Sequence, residues 1–357
     1  MEKALRMIIV CFLALLLFSC DSNATKNNML EIDNIESIYL SEPDIIIKDL
    51  IAPSDIISYD TLVFLCDRHS EDMVQAYSYN GQIISSFLKY GRGPGESTNI
   101  LKIFNGFNHD IYANVSNGLI FVYGIYDILN GHLLPKKTIS LPKGNASFSS
   151  ISVLDSSLFY VGKNLLDIND NKTLYCIYDL YDNTMSHFGS LPIEDTQIEN
   201  YPLNDFTIQT IYQGEPMCRP DAKKVIVPFY YSLGFEIIDV HEQKVEHSKF
   251  YTLPDVQIVS IPDINIAGVK KKLKSKVGFL DVRCTHDNFY LLYSGKNFGH
   301  PTYYQGNYIL KYDWNGRLQN KYVLDREISS FCLSSIDNSF FCIQENESGS
   351  CVLKYHL

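Results

Sequence analysis

The stretch Tyr312–Leu324 (YDWNGRLQNKYVL) decides the fold. Asn315-Gly316 joins the end of one apolar strand to the start of another. A type I′ hairpin turn needs positive φ at both central residues, and Asn-Gly tolerates that best. The same grammar recurs at Tyr77–Gly81 (YSYNG), Tyr126–Gly131 (YDILNG), Tyr178–Asn183 (YDLYDN) and Ile238–Gln243 (IDVHEQ). A further strand follows each: IISSF, LLPKKTISL, MSHFGSL and VEHSKFYTL. A second marker, Asp or Asn, stands before another set of apolar strands. It is Asp60 before LVFLC, Asn117 before LIFVY, Asp155 before SLFYVG, Asp221 before KKVIVPF, Asp287 before NFYLLYSG and Asp337 before NSFFCI. Both side chains bond to nearby backbone and tolerate left-handed dihedrals.

Together the markers define a unit of strand, turn, strand, loop, strand, turn, strand: one four-stranded antiparallel blade. Five units are complete. The sixth stops at Cys351–Leu357, with Tyr355 where other units carry Tyr126, Tyr178 and Tyr312, and it lacks a fourth strand. Ile38–Leu40 and Ile45–Leu50 precede the first unit and belong to none. They are expected to supply the missing outer strand, which closes the ring and hides sheet edges. The expectation is an all-β, six-bladed β-propeller over residues 31–357. A seventh blade would need another pair of markers. An open sandwich also has regular turns, but not a four-strand period with two fixed turn chemistries.

The N-terminus has a different character. Glu2, Lys3 and Arg6 precede twelve uncharged residues, Met7–Phe18, a length that suits a signal peptide and falls short of a bilayer span. The run ends in Leu17-Phe18-Ser19-Cys20, which resembles a bacterial lipobox. Residues 1–19 are therefore expected to be cleaved and Cys20 lipidated. Residues 20–30 then form a tether leaving the outer edge of the sixth blade, and acyl chains are expected to hold the protein to an envelope membrane, the outer one. The alternatives are an uncleaved anchor or a plain secretory signal.

Losing residues 1–19 takes the formal net charge from −11 to −12, because Lys3, Arg6 and Glu2 leave together. Nucleic acid is not expected as a partner, since phosphate binding needs clustered Lys and Arg. Of nine cysteines, seven lie beyond Cys11 and Cys20, with no C-x-x-C pair and no zinc spacing. Most sit in apolar runs and read as small buried hydrophobes. Cys332, Cys342 and Cys351 fall on consecutive strands, where one local bridge would fit.

Three features carry a family resemblance. Gly91–Glu96 (GRGPGE) lies between the first two units, Tyr212–Lys224 (YQGEPMCRPDAKK) leads into a central one, and the lipobox precedes both. With these the chain resembles the TolB-like six-bladed β-propeller lipoproteins common in the Bacteroidota. Ala222 departs from the glycine usual in that second motif. The resemblance spans the mature chain and implies a fold and a location; its motifs are structural and imply no activity.

Candidate binding residues follow from position. Arg92 and Glu96 are placed at the mouth of the central channel, against the plainer reading of an inter-blade turn. Tyr212, Gln213 and Arg219, with Tyr201, are placed on one face by the long links Ile193–Gln213 and Asp255–Val277. Tyr293, Tyr303 and Tyr304 lie near another link. Lys270, Lys271, Lys272, Lys274 and Lys276 are read as a solvated loop or short helix that could meet anionic headgroups or acidic glycans. No nucleophile elbow, zinc helix, calcium loop or phosphate loop is present. The expected function is non-catalytic binding of a ligand or an envelope partner by a monomer, with no cofactor. The alternative is a propeller hydrolase or lactonase with a channel-bound Ca²⁺.

Overall fold

The turns close with positive φ at one residue of each pair and not at both, so they are not the expected type I′ turns: Asn80, Asn130, Asp182, Glu242 and Asn315 stay out of the left-handed region. In a computed structural model that describes residues 31–116, 118–141, 151–155, 157–161, 173–190, 210–261, 266–334, 336–346 and 349–357, the second residue of every predicted turn pair has positive φ. The values are 81° at Gly81, 83° at Gly131, 54° at Asn183, 48° at Gln243 and 74° at Gly316. The lipobox and Tyr201 lie outside the described residues.

Six antiparallel sheets result. Blade 1 is Pro53–Tyr59, Leu62–Asp67, Asp72–Ser78 and Ile83–Lys89. Blade 2 is Ile100–Asn105, Asp110–Val115, Leu119–Gly124 and Lys137–Ser140. Blade 3 is Ile151–Val153, Ser157–Val161, Thr173–Asp179 and Met185–Ser190. Blade 4 is Met217–Cys218, Lys224–Pro228, Gly234–Asp239 and Lys244–Phe250. Blade 5 is Phe279–Cys284, Asn288–Tyr293, Gly306–Asp313 and Leu318–Ile328. Blade 6 has Ser330–Leu333, Ser339–Asn346 and Gly349–His356 from the C-terminal end, and its outer strand Asp44–Leu50 from the other. First strands of neighbouring blades touch around the ring and line the channel.

Closure is as expected for Asp44–Leu50, which pairs antiparallel with the last strand (Ile45 opposite Leu353). Its Ile47 and Leu50 are buried with Val63, Leu65 and Phe341, between blades 6 and 1. The other N-terminal piece differs. Ser37–Leu40 runs parallel to Leu318–Ile328 and makes a fifth strand on blade 5. Before it, Ile32 is buried among Phe235, Tyr251 and Tyr312, and the Glu31 carboxylate meets Lys249 Nζ at 2.6 Å. Residues 31–34 thus enter at the junction of blades 4 and 5, not at the edge of blade 6.

Blade 2 is out of phase with the sequence reading. Its first turn is Asn108-His109, both at positive φ, and the expected marker Asn117 lies outside the described residues. Tyr126 belongs to a five-residue helix, α1 (Ile125–Leu129), and is 61% exposed. The residue matching Tyr77, Tyr178, Ile238, Tyr312 and Tyr355 is Tyr123: each sits opposite the apolar second residue of strand two in its own blade, Tyr123 opposite Ile111. All six are buried.

The seven described cysteines are free thiols. Register explains why blade 6 forms no bridge: Cys332 faces Phe341, Cys342 faces Leu353 and Phe331, and Cys351 faces Gln344. The lysine-rich link is part strand and part turn, with no helix: Lys270 and Lys271 end a strand, and Lys272 and Lys274 follow in a turn. Val256–Ile261 pairs antiparallel with Ile266–Lys271, a hairpin inserted between blades 4 and 5.

Candidate functional site

Innermost strands have one end at the first turns and the other at the inter-blade links. At the first-turn end the channel widens into a cavity of about 670 Å³. Every blade contributes: Tyr59 and Asp60, Asn105 and Phe107, Val153, Cys218 and Arg219, Cys284 and His286, Cys332 and Ser334. The volume lies within the roughly 300–1,000 Å³ typical of small-molecule sites, and the mixed apolar and polar lining is typical too.

A buried ionic cluster crosses the channel beside this cavity. Arg283 is 5% exposed and donates from Nη2 to Asp55 Oδ1 (2.7 Å) and from Nη1 to Asp281 Oδ1 (2.6 Å). Its other Nη contacts are the Val282 and Ile56 carbonyls and the Ser330 hydroxyl. Ser330 donates to Asp281 Oδ2 (2.7 Å), and Asp55 Oδ2 accepts from the Ile103 amide (2.9 Å). Blades 1, 2, 5 and 6 are joined through these contacts. Burial pushes the Asp55 carboxyl up, against the pull of Arg283. Burial alone would lower Arg283, but Asp281 and Asp55 outweigh it and leave it raised. Lys102 pairs with Glu215 nearby. Arg283 lines the cavity, and its Nε–H has no partner among the described residues.

The predicted residues scatter. Arg219 alone reaches the cavity; it is fixed by two hydrogen bonds to Asp221 (2.7 and 2.6 Å) and lies 5.5 Å from the Trp314 ring. Gln213 and Glu215 line a separate recess of about 140 Å³. Tyr212 is buried against Phe229 in the core. Gly91–Glu96 does not reach the channel mouth: Glu96 folds back to accept from the Gly93 amide (2.7 Å), and Gly95 lies against Leu134 and Pro135, which lead into the outermost strand of blade 2. Arg92 is exposed there. Tyr293 is buried, Tyr304 is 45% exposed, and Tyr303 is one of three rings around Lys271.

Asp55, Asp281 and Arg283 escaped the sequence reading because their partners are far apart in the chain. A signal was present: Phe279–Cys284 reads FLDVRC, two opposite charges two residues apart inside an apolar strand. Charges in such a strand need partners, because burying them unpaired is costly.

The thiols that line the cavity are not primed for nucleophilic chemistry. Burial pushes Cys218 and Cys332 up to about 12 and Cys284 well above its ordinary value, so all three stay protonated at neutral pH. Among the described residues no cluster of three or more His, Cys, Asp or Glu is arranged to hold a metal ion.

Solved structures share the architecture. A Bacteroides fragilis NCTC 9343 protein, named as an inferred exported protein, is 14% identical, with a TM-score of 0.54 over 90% of this chain and 99% of that one. The structure of U3-55K is 9% identical, with a TM-score of 0.51 over 88% of this chain and 98% of that one. At such identity the likeness is one of fold. No curated protein matches the chain. Residues 36–336 match the family profile described as TolB-like 6-blade propeller-like, and the chain therefore belongs to the TolB-like six-bladed propeller family.

Proposed function

We propose that this protein is an envelope lipoprotein, anchored through Cys20, whose propeller binds a small ligand in the channel cavity without transforming it. The observation that carries the binding reading is the cavity of about 670 Å³, lined by residues of all six blades and by two arginines, Arg219 and Arg283. Arg219 offers a second cationic group, held rigid by Asp221. A ligand with an apolar body and one or two acceptor oxygens fits this lining.

Binding is favoured over metal-dependent hydrolysis by how the channel carboxylates are used. Asp55 and Asp281 flank a guanidinium, which takes the position a divalent cation would need. The anchor rests on the Leu17–Cys20 lipobox, and the family match is consistent with an envelope location.

Two measurements test the parts separately. Radiolabelled fatty acid should enter the wild type and not Cys20→Ala. Purified protein exposed to an envelope metabolite extract should retain a small molecule, detected by mass spectrometry, that Val153→Trp loses because the ring fills the cavity. Equal retention by a folded Val153→Trp variant refutes the cavity as the site.

A further inference from the structure

The lysine-rich hairpin has a use the channel does not explain. Its second strand ends at Lys271 and passes into the turn Lys272-Leu273-Lys274-Ser275. Leu273 at the tip is 69% exposed, although the turn is tightly held. Ser275 donates to Asp255 Oδ2 (2.6 Å), the Gly299 amide to the Leu273 carbonyl (2.8 Å), and the Phe298 amide to the Ser275 carbonyl (3.0 Å). Lys271 anchors the strand from behind, its ammonium 4.8–5.3 Å from the Tyr230, Phe298 and Tyr303 rings. A large apolar side chain is thus presented to solvent by a braced turn, with the exposed ring of Tyr304 on the adjoining segment.

Charge identifies the partner. Residues 255–276 hold five lysines and two aspartates in a chain of net charge −11. Lys271 is committed to its rings, Lys272 to Asp255 (2.5 Å) and Lys276 to the Gly295 carbonyl (2.8 Å). Lys270 and Lys274 are exposed and form no ion pair among the described residues. Cations beside an exposed leucine and a tyrosine fit the headgroup region of a bilayer carrying anionic lipid, where tyrosine is also favoured.

The tether supplies the second argument. The chain enters beside Lys249 and Tyr251, at the end of the blade 4 strand that leads directly into the hairpin. Ten residues lie between Cys20 and Glu31, so a lipid on Cys20 stays within about 40 Å of the point where the chain enters beside the hairpin. We infer that the Lys272–Ser275 turn, with Lys270, Lys274 and Tyr304, rests on the anionic surface of the membrane that holds the anchor. The inference depends on the lipid anchor proposed above and adds the orientation of the disc.

The test uses the full lipidated chain in vesicles of phosphatidylethanolamine and phosphatidylglycerol with brominated acyl chains. The one native tryptophan, Trp314, is buried and sets the baseline. Leu273→Trp should be quenched at least about twofold more than Tyr181→Trp, because an interfacial ring sits at headgroup depth, whereas Tyr181 is 89% exposed on blade 3. Adding Lys270→Glu and Lys274→Glu should reduce that quenching. If the protein floats with the vesicles and the two tryptophans are quenched equally, the orientation is wrong and the anchor stands. If it does not float, the anchor fails and this inference with it. Quenching unchanged by the two Glu substitutions overturns the role of the lysines.

Discussion

Replacing Arg283 with Met should destabilise the whole ring, by an amount that depends on pH. The side chain is 5% exposed and ties two buried carboxylates, Asp55 of blade 1 and Asp281 of blade 5, to the Ser330 hydroxyl of blade 6. Met keeps the length and apolar bulk but leaves Asp55 and Asp281 buried without a cation. Removing one partner of a buried ion pair costs about 3–5 kcal/mol. At about 2.1 cal/mol/K per residue over roughly 280 described residues, the unfolding entropy is near 0.6 kcal/mol/K, so the melting temperature should fall by about 5–9 °C. Adding Asp55→Asn and Asp281→Asn removes the stranded charges and should restore at least half of the loss. The sign with pH follows from burial. In Arg283→Met the Asp55 carboxyl, already pushed up by burial, loses the guanidinium that pulls it down, so its folded pKa lies above the unfolded value of about 3.9. The folded state then holds more protons, and the deficit relative to wild type shrinks as pH falls from 7 towards 4. Calorimetry on the three proteins at pH 7 and pH 5 is the assay. A loss under about 1 kcal/mol, or one that the Asn pair deepens, refutes the view that the ionic cluster ties the blades.

Turn and core positions give further expectations. Ala222 sits at φ 58° where the family motif has glycine; Ala222→Gly should raise stability by about 0.5–1 kcal/mol by relieving left-handed strain, read from chemical denaturation. Gly81 and Gly131 both have φ near 80°, but a Cβ on Gly81 would stand 2.0 Å from the Ile46 carbonyl oxygen while one on Gly131 meets nothing within 4 Å. Gly131→Ala should cost about 1–2 kcal/mol, and Gly81→Ala clearly more, because the closing strand must move. Tyr123→Ala should cost about 3–5 kcal/mol and Tyr126→Ala under about 0.5, reversing the order expected from sequence spacing. Hydrogen bonds from Arg219 hold Asp221 down to about 2. Its modest contribution is therefore present above about pH 4 and is lost as pH falls towards 2. Carbon-13 NMR should show that low midpoint, and Arg219→Gln should return it to the ordinary range.

The turns made most of the ring readable. Asn80-Gly81 and Asn315-Gly316 announce hairpins because few residue pairs accept positive φ. Blade 2 misled for the same reason. Gly131 does take positive φ, but as the residue after the end of α1, where the Asn130 amide bonds back to Tyr126 and Asp127 and Asn130 itself keeps φ −91°. Helix ends and hairpins draw on one vocabulary. Val256–Ile261 and Ile266–Lys271 carried the alternation of a hairpin, yet five lysines drew attention to solvent instead of pairing. The site was the least legible part. Arg219 follows a recognisable strand, whereas Asp55 and Arg283 meet only because the ring brings blade 5 across from blade 1.

Closure by Asp44–Leu50 also orders events in time. Ile45 leaves the ribosome 308 residues ahead of Leu353, the residue it will face. Joining ends so distant costs about 3 kcal/mol more chain entropy than closing a ten-residue loop. Five blades can form while synthesis proceeds, but the seam between first and last strands cannot be made until Leu353 exists. Until then the first-made strand and the edge of the newest blade both present unpaired backbone. At high concentration the nearest complementary edge belongs to a neighbouring molecule. The final seam is thus the step at which one chain must find itself before it finds another.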